Sequence, residues 1–405
     1  MYDLLKGLRI VEGASFIAAP LCGLTFAQLG AEVIRFDQIG GGLDFGRWPL
    51  APNGLSLYWE GLNKGKKSVA LDLSRPQGRE LAVAIITAAG EGAGLFVTNY
   101  PQGGFLAHDR LVTRRPDLVT MRVTGSSDGS SALDYTINSA AGYPLMTGPT
   151  SVEGPINHVL PAWDISCGLT AAVTLLAAER ARRIDGQGRE IRVALSDVAF
   201  SMLGHLGQIG EAVVSGEDRP RLGNALYGAF GRDFRTADGK YLMICAITRK
   251  QWTSLLEALE LQAPVAALEA ELGVSFADDE GLRFIHRDRL FALVEDRTRR
   301  LPYEQCAQSF DRTGVCWGPY RTVREALAQD PRLSEANPMF AMAAHPSGHR
   351  YLTPGFPAAI EGVERRAASG GPRLGEHTDQ VLADVLGLSG AQIGTLHDQK
   401  LVAGV

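Results

Sequence analysis

The stretch LRIVEGASFIAAPLCGLTFAQLGAEVIRFD, residues 8–37, decides the fold. Leu8 to Glu12 reads as a short buried strand, Pro20 to Leu29 as a helix, and Glu32 to Asp37 as a second strand. Two strands joined through a helix pair in parallel, since an antiparallel pair needs only a tight turn. Working outward, further strands are predicted at Ser68–Leu73, Leu95–Asn99 and Leu118–Thr124, with a helix over Gln77–Ala88. The expectation is an α/β fold with an open, Rossmann-like sheet. The turn EGASFIAAP, residues 12–20, stands where a dinucleotide-binding chain carries G-x-G-x-x-G, and it lacks that pattern. Asp37 mimics the ribose-binding acid of such chains, but without the glycines the sheet points to a nucleotide-like ligand other than NAD.

Past this region a long helical run, HVLPAWDISCGLTAAVTLLAAERARR (158–183), leads through a turn and strand at 184–195 into a second helical stretch from Asp197 to Val214. DRPRLGNALYG (218–228) breaks the pattern. From about 225 the character changes: FGRDFRTADGKYLMICAI (230–247) predicts a hairpin turning at Asp238-Gly239, and amphipathic helices follow to about 313. The predicted organisation is a large Rossmann-like domain built from both chain ends, 1–220 and 321–405, with a small α+β domain at 221–320.

Composition narrows the function. Of 405 residues, 45% are apolar, 21% charged and 47 are glycine, which suits a loop-rich globular enzyme. A net charge of -5 without runs of one sign argues against a nucleic-acid partner. No apolar run reaches the roughly 18 residues of a membrane helix. The five cysteines, Cys22, Cys167, Cys245, Cys306 and Cys316, show neither CxxC nor metal-ligand spacing, so reduced thiols and no metal are expected. With no signal-peptide pattern at the start, the expected location is the cytoplasm.

Asp164 is the residue that composition leaves unexplained. It follows Pro161 and Trp163 at the head of an otherwise apolar helix. A carboxylate in a first helical turn feels the partial positive charge of the helix N-terminus, which favours the ionised form. Ile165, Leu169, Ala172, Val173 and Leu176 follow at spacings of three and four, and predict one inward face. An ordinary helix-capping acid and an ionised nucleophile both satisfy this pattern.

Four stretches, in this order, resemble the family III CoA-transferases. They are LKGLRIVEGASFIAAPLCGLTFAQLGAEVIRFD (5–37), GLNKGKKSVALDL with RPQGRELA (61–73 and 75–82), LFVTNYPQGG (95–104) and PRLGEHTDQVL (372–382). The resemblance implies that Asp164 is the nucleophile and that the chain forms an interlocked homodimer acting on a small acyl-CoA. It implies no separate cofactor, CoA being part of the substrate. CoA contacts are implied at Ile17, Ala18, Lys66, Asn99 and Tyr100. Gln38 stands where the family often has an arginine, so binding at the adenine end must differ, and Arg35 is a weak substitute. In DYTINSAAGYP (134–144), Tyr135 and Thr136 occupy the places of the His-Asp pair that racemases of the family use, which removes the second base. Tyr135 instead matches a transferase aromatic near the acyl group, able to donate to a carboxylate or oxyanion.

Within the family, GGGLDFGRWPL (40–50), NHVLPAWD (157–164), GNALYGAFGRDF (223–234), PYRTVREALAQDP (319–331) and NPMFAM (337–342) resemble the members that move CoA between the two carboxyls of mesaconate. Such a reaction must hold a free dicarboxylate, and Arg47 is the candidate cation. Intermolecular transfer between small acids, α-methylacyl-CoA epimerisation and silent CoA binding are the alternative readings.

Overall fold

The computed structural model describes residues 1–404. The main sheet contains β1 (Arg9–Gly13), β2 (Glu32–Gln38), β3 (Lys67–Leu71), β4 (Leu95–Thr98), β5 (Val119–Thr124) and β6 (Arg189–Ala194). These six pair in parallel in the order β3-β2-β1-β4-β5-β6, the doubly wound arrangement. β1, β2, β3 and β4 are almost wholly buried, as expected of parallel strands covered on both faces. The Ala18–Gln28 helix crosses from β1 to β2, and Pro76–Thr87, with proline at its start, from β3 to β4.

Two contact units organise the chain: Met1–Ala141, Val159–Glu211 and Asp330–Val405 form one, Gly142–His158 and Ala212–Gln329 the other. The second unit therefore includes a short segment from before Asp164. It carries an antiparallel sheet of β7 (Phe230–Arg235), β8 (Tyr241–Ala246) and β9 (Cys316–Pro319), with β7 and β8 joined by the hairpin predicted at Asp238-Gly239. Phe230, Phe234, Trp252, Phe276 and Phe310 lie at its core. The first unit also holds a hairpin of β10 (Phe340–Ala344) and β11 (Arg350–Pro354). Its last strand, β12 (Val402–Ala403), closes the main sheet antiparallel to β3.

The helical stretch expected over Asp197–Val214 is two helices, Leu195–His205 and Gln208–Ser215, interrupted at Leu206-Gly207. Gly207 has φ +76°, a left-handed conformation that ends a helix. Among the described residues no helix is long and apolar enough to cross a membrane.

Candidate active site

Asp164 lies in the first turn of the helix Ala162–Asp185. The helix N-cap is Pro161, whose side chain offers no oxygen, so the first N–H groups need another acceptor. Asp134 supplies it from 30 residues upstream: its Oδ2 accepts the N–H of Trp163 at 2.7 Å and of Asp164 at 3.0 Å. Asp134 is only 2% exposed, and its Oδ1 is buried without a hydrogen-bond partner among the described residues. Asn138, on the same Asp134–Ala140 helix, accepts from Trp163 Nε1 at 3.1 Å. The head of the Asp164 helix is thus held through backbone and indole together.

The buried face of that helix keeps Ala172 as predicted but otherwise differs. Cys167, Ala171, Leu175 and Ala178 are buried, whereas Leu169, Val173 and Leu176 are exposed. Close packing explains the difference. At Gly168 a Cβ would sit 2.6 Å from the carbonyl oxygen of Ala18, so the small-residue stripe lies against the Ala18–Gln28 helix and the larger side chains turn away.

Burial, then repulsion from Asp134, raises the Asp164 pKa to about 6, while Arg47 acts to lower it. Burial and a like charge thus act against the ionised form that the helix terminus favours. The Arg47 guanidinium lies over the Phe16 ring at 5.4 Å and the Tyr58 ring at 5.5 Å. Among the described residues that guanidinium has no ion-pair partner. The Tyr58 hydroxyl, shielded from solvent, also lacks a hydrogen-bond partner, and burial raises its pKa. Phe16 has φ +70°, a strained value for an aromatic residue, and its N–H donates to Asp44 Oδ2 at 3.2 Å.

At the switch point between β1 and β4, the two following loops are locked together. Ser15 N–H donates to Asn99 Oδ1 at 3.0 Å, and Asn99 Nδ2 donates to the Ser15 carbonyl at 2.7 Å. The loop that leads into Ile17 and Ala18 thus meets the one carrying Asn99 and Tyr100 at the carboxyl ends of adjacent strands. Among the described residues no group of three or more His, Cys, Asp or Glu is placed to hold a metal ion.

The model of "CoA-transferase family III" matches residues 5–378. The chain belongs to this family. It is 51% identical to a 2-methylfumaryl-CoA isomerase of Chloroflexus aurantiacus, over 100% of this chain and 99% of that one. A succinyl-CoA–L-malate CoA-transferase beta subunit of the same organism is 25% identical over 98% of each chain. Among solved structures, a CAIB/BAIF family protein from Brucella suis covers 95% of this chain and 100% of its own with a TM-score of 0.77, at 24% identity, and so shares the fold.

Several polar side chains of the large sheet are engaged inside the protein. Lys66 is 2% exposed, and its Nζ donates to both Glu12 carboxylate oxygens at 2.9 Å, to the Pro20 carbonyl at 2.8 Å and to Asn63 Oδ1 at 3.0 Å. Its ammonium is thus engaged inside the protein by Glu12, Pro20 and Asn63, which is where the structure places this residue expected to contact CoA. Arg35 is likewise internal: it bonds both Asp37 oxygens at 2.8 and 2.9 Å, and Asp44 at 3.0 Å. It is no substitute for the missing arginine, and Asp37 is not free to bind a ribose. Gln38 accepts from Leu73 N–H at 2.8 Å. Cys167 is buried, and desolvation followed by the Asp164 charge pushes its thiol up to about 12, so it is not a thiolate near neutrality.

Tyr135 is 47% exposed, and its hydroxyl bonds to no group among the described residues. Its neighbour Asp134, which sequence reasoning passed over, is the residue that reaches the Asp164 helix. Asp44 and Tyr58 were also missed. The one available signal was an arginine in the middle of an apolar strand, EVIRFD, which requires buried acids around it.

Proposed function

We propose that this chain catalyses the isomerisation of 2-methylfumaryl-CoA, moving CoA from the C1 to the C4 carboxyl of the same acid. The observation that carries the reading is one partly buried carboxylate, Asp164, under the electrostatic influence of a cation, Arg47, that has no ion-pair partner among the described residues. The full-length likeness to an isomerase of that substrate supports it.

In the proposed mechanism the Asp164 carboxylate attacks the C1 thioester carbonyl. The C–S bond breaks, CoA leaves as a thiolate, and a mixed anhydride forms. The thiolate then attacks the Asp164 carbonyl of the anhydride, expelling 2-methylfumarate and leaving an aspartyl-CoA thioester. The retained acid turns, and its C4 carboxylate attacks this thioester to give a second anhydride and the thiolate. Attack of the thiolate on the C4 carbonyl releases the isomer and regenerates the Asp164 carboxylate. Water takes no part, so the thioester is conserved.

Arg47 and the Tyr58 hydroxyl are assigned to the free carboxylate during the turn, and Tyr135 to a donor role toward the acyl group. Ile17, Ala18, Asn99 and Tyr100 are assigned to CoA, as part of the substrate rather than a cofactor, at the switch-point crevice. Two copies are assigned to an interlocked homodimer; the exposed Leu169, Val173 and Leu176 support a partner on that helix face.

Incubation with the C1 isomer in the presence of labelled free 2-methylfumarate tests the reading. The C4 isomer is expected without label; label in the product means intermolecular exchange and contradicts it.

A further inference from the structure

We propose that Asp134 is a positioning residue: it caps the Asp164 helix from outside while presenting a second, unpartnered carboxylate oxygen, so that ionised Asp164 faces a like charge which acylation removes. The inference rests on Asp164 being the nucleophile.

Two observations carry it. The first is geometric: Oδ2 of Asp134 accepts the N–H groups of both Trp163 and Asp164, beside an N-cap proline that cannot cap. One neutral acceptor is enough for that task, and Asn is as good a cap as Asp. The second is the buried Oδ1, which lacks the hydrogen bond that would ordinarily offset its desolvation. A carboxylate in this place is thus more than a cap requires.

The chemistry of the cycle supplies a use for it. The Asp164 carboxylate is anionic at the start and end, whereas the anhydride and the aspartyl-CoA thioester carry no charge on that side chain. Repulsion from Asp134 acts only on the free carboxylate. It makes Asp164 a stronger nucleophile and removes part of the disadvantage of the covalent states. The thiol and phenol beside Asp164 do not change charge between pH 5 and 7: burial shifts the Tyr58 hydroxyl upward and the Cys167 thiol stands at about 12. The acid limb of the activity therefore reports Asp164 under the influence of Asp134.

The test is the pH profile of kcat/KM for wild type, D134N and D134E, with melting temperatures measured alongside. D134N keeps an acceptor for the two N–H groups but loses the charge. Its acid limb is expected to move to lower pH, so that at about pH 5.5 it retains about two to three times the wild-type fraction of plateau activity. D134E keeps the charge, and its limb is expected to stay close to that of wild type. A D134N limb coincident with wild type in a protein of unchanged melting temperature overturns the proposal, as does an equal displacement in D134E and D134N. D164N is the separate control: if it turns over, the nucleophile reading itself fails, whereas an inactive D164N with an unmoved D134N limb defeats only the role given to Asp134.

Discussion

Lys66 lies 2.9 Å from each oxygen of Glu12, and both side chains are fully buried. Arg35 approaches the same Glu12 at 3.4 Å and links it to Asp37 and Asp44, so the pair belongs to a five-residue ionic cluster beneath the switch point. Removing one member leaves an uncompensated buried charge. K66A is expected to lower stability by about 3–5 kcal/mol, read by denaturant unfolding. Replacing Glu12 and Lys66 together by uncharged residues of similar volume should cost less than the two single changes added. Additive losses would show that the pair is not coupled.

Arg47 is predicted to retain the acid between transfers. R47A removes the cation and leaves the buried ionic cluster intact; kcat/KM is expected to fall about 10- to 100-fold, the loss of one charged hydrogen bond. Free 2-methylfumarate should also escape into solution, in amounts detectable by chromatography. R47K should recover part of the rate, since a point charge replaces a planar fork. An R47A enzyme that slows without releasing acid would assign the arginine to a different step.

Activity should fall as pH drops through about 6, where Asp164 takes up a proton. The same shift affects stability with a definite sign. The folded pKa lies above the unfolded value of about 4, so the folded state binds this proton more tightly. The favourable contribution is complete below about pH 4 and is lost as pH rises through about 6. D164N, which carries no charge, is therefore expected to melt at a higher temperature than wild type at pH 8, with the gap narrowing at pH 5.

The first β-α-β unit and the parallel strands were legible because buried parallel strands are continuous apolar runs with few competing patterns. β12 is two residues long and gives no pattern to read. The inward face of the Asp164 helix was misplaced because apolar residues cover most of its circumference, and spacing cannot tell a stripe packed against Ala18 from one left exposed. The role given to Asp164 comes from resemblance. Asp134 was missed, since a cap supplied from another helix is a tertiary contact that leaves no local spacing. The setting of Lys66 was hidden for a related reason: spacing alone does not show that the fold sets Glu12 opposite it.

Gly168 offers a check on helix packing. G168A puts a methyl group 2.6 Å from the Ala18 carbonyl and 3.1 Å from Leu21 Cβ, so the two helices must separate. A loss of about 1–3 kcal/mol in stability is expected, with a larger proportional loss of kcat than of substrate affinity, because Asp164 shifts with its helix. Unchanged kcat in a folded G168A would mean that the position of the helix head is not critical.

Covalent capture at residue 164 tests the central claim most directly. The enzyme is mixed with 2-methylfumaryl-CoA, quenched in acid during turnover, digested and mapped by mass spectrometry, with a parallel sample treated with hydroxylamine. CoA joined through a thioester to the peptide containing Asp164, and its conversion to a hydroxamate at that residue, is the predicted result. CoA attached at another side chain, or full turnover by D164A, contradicts it.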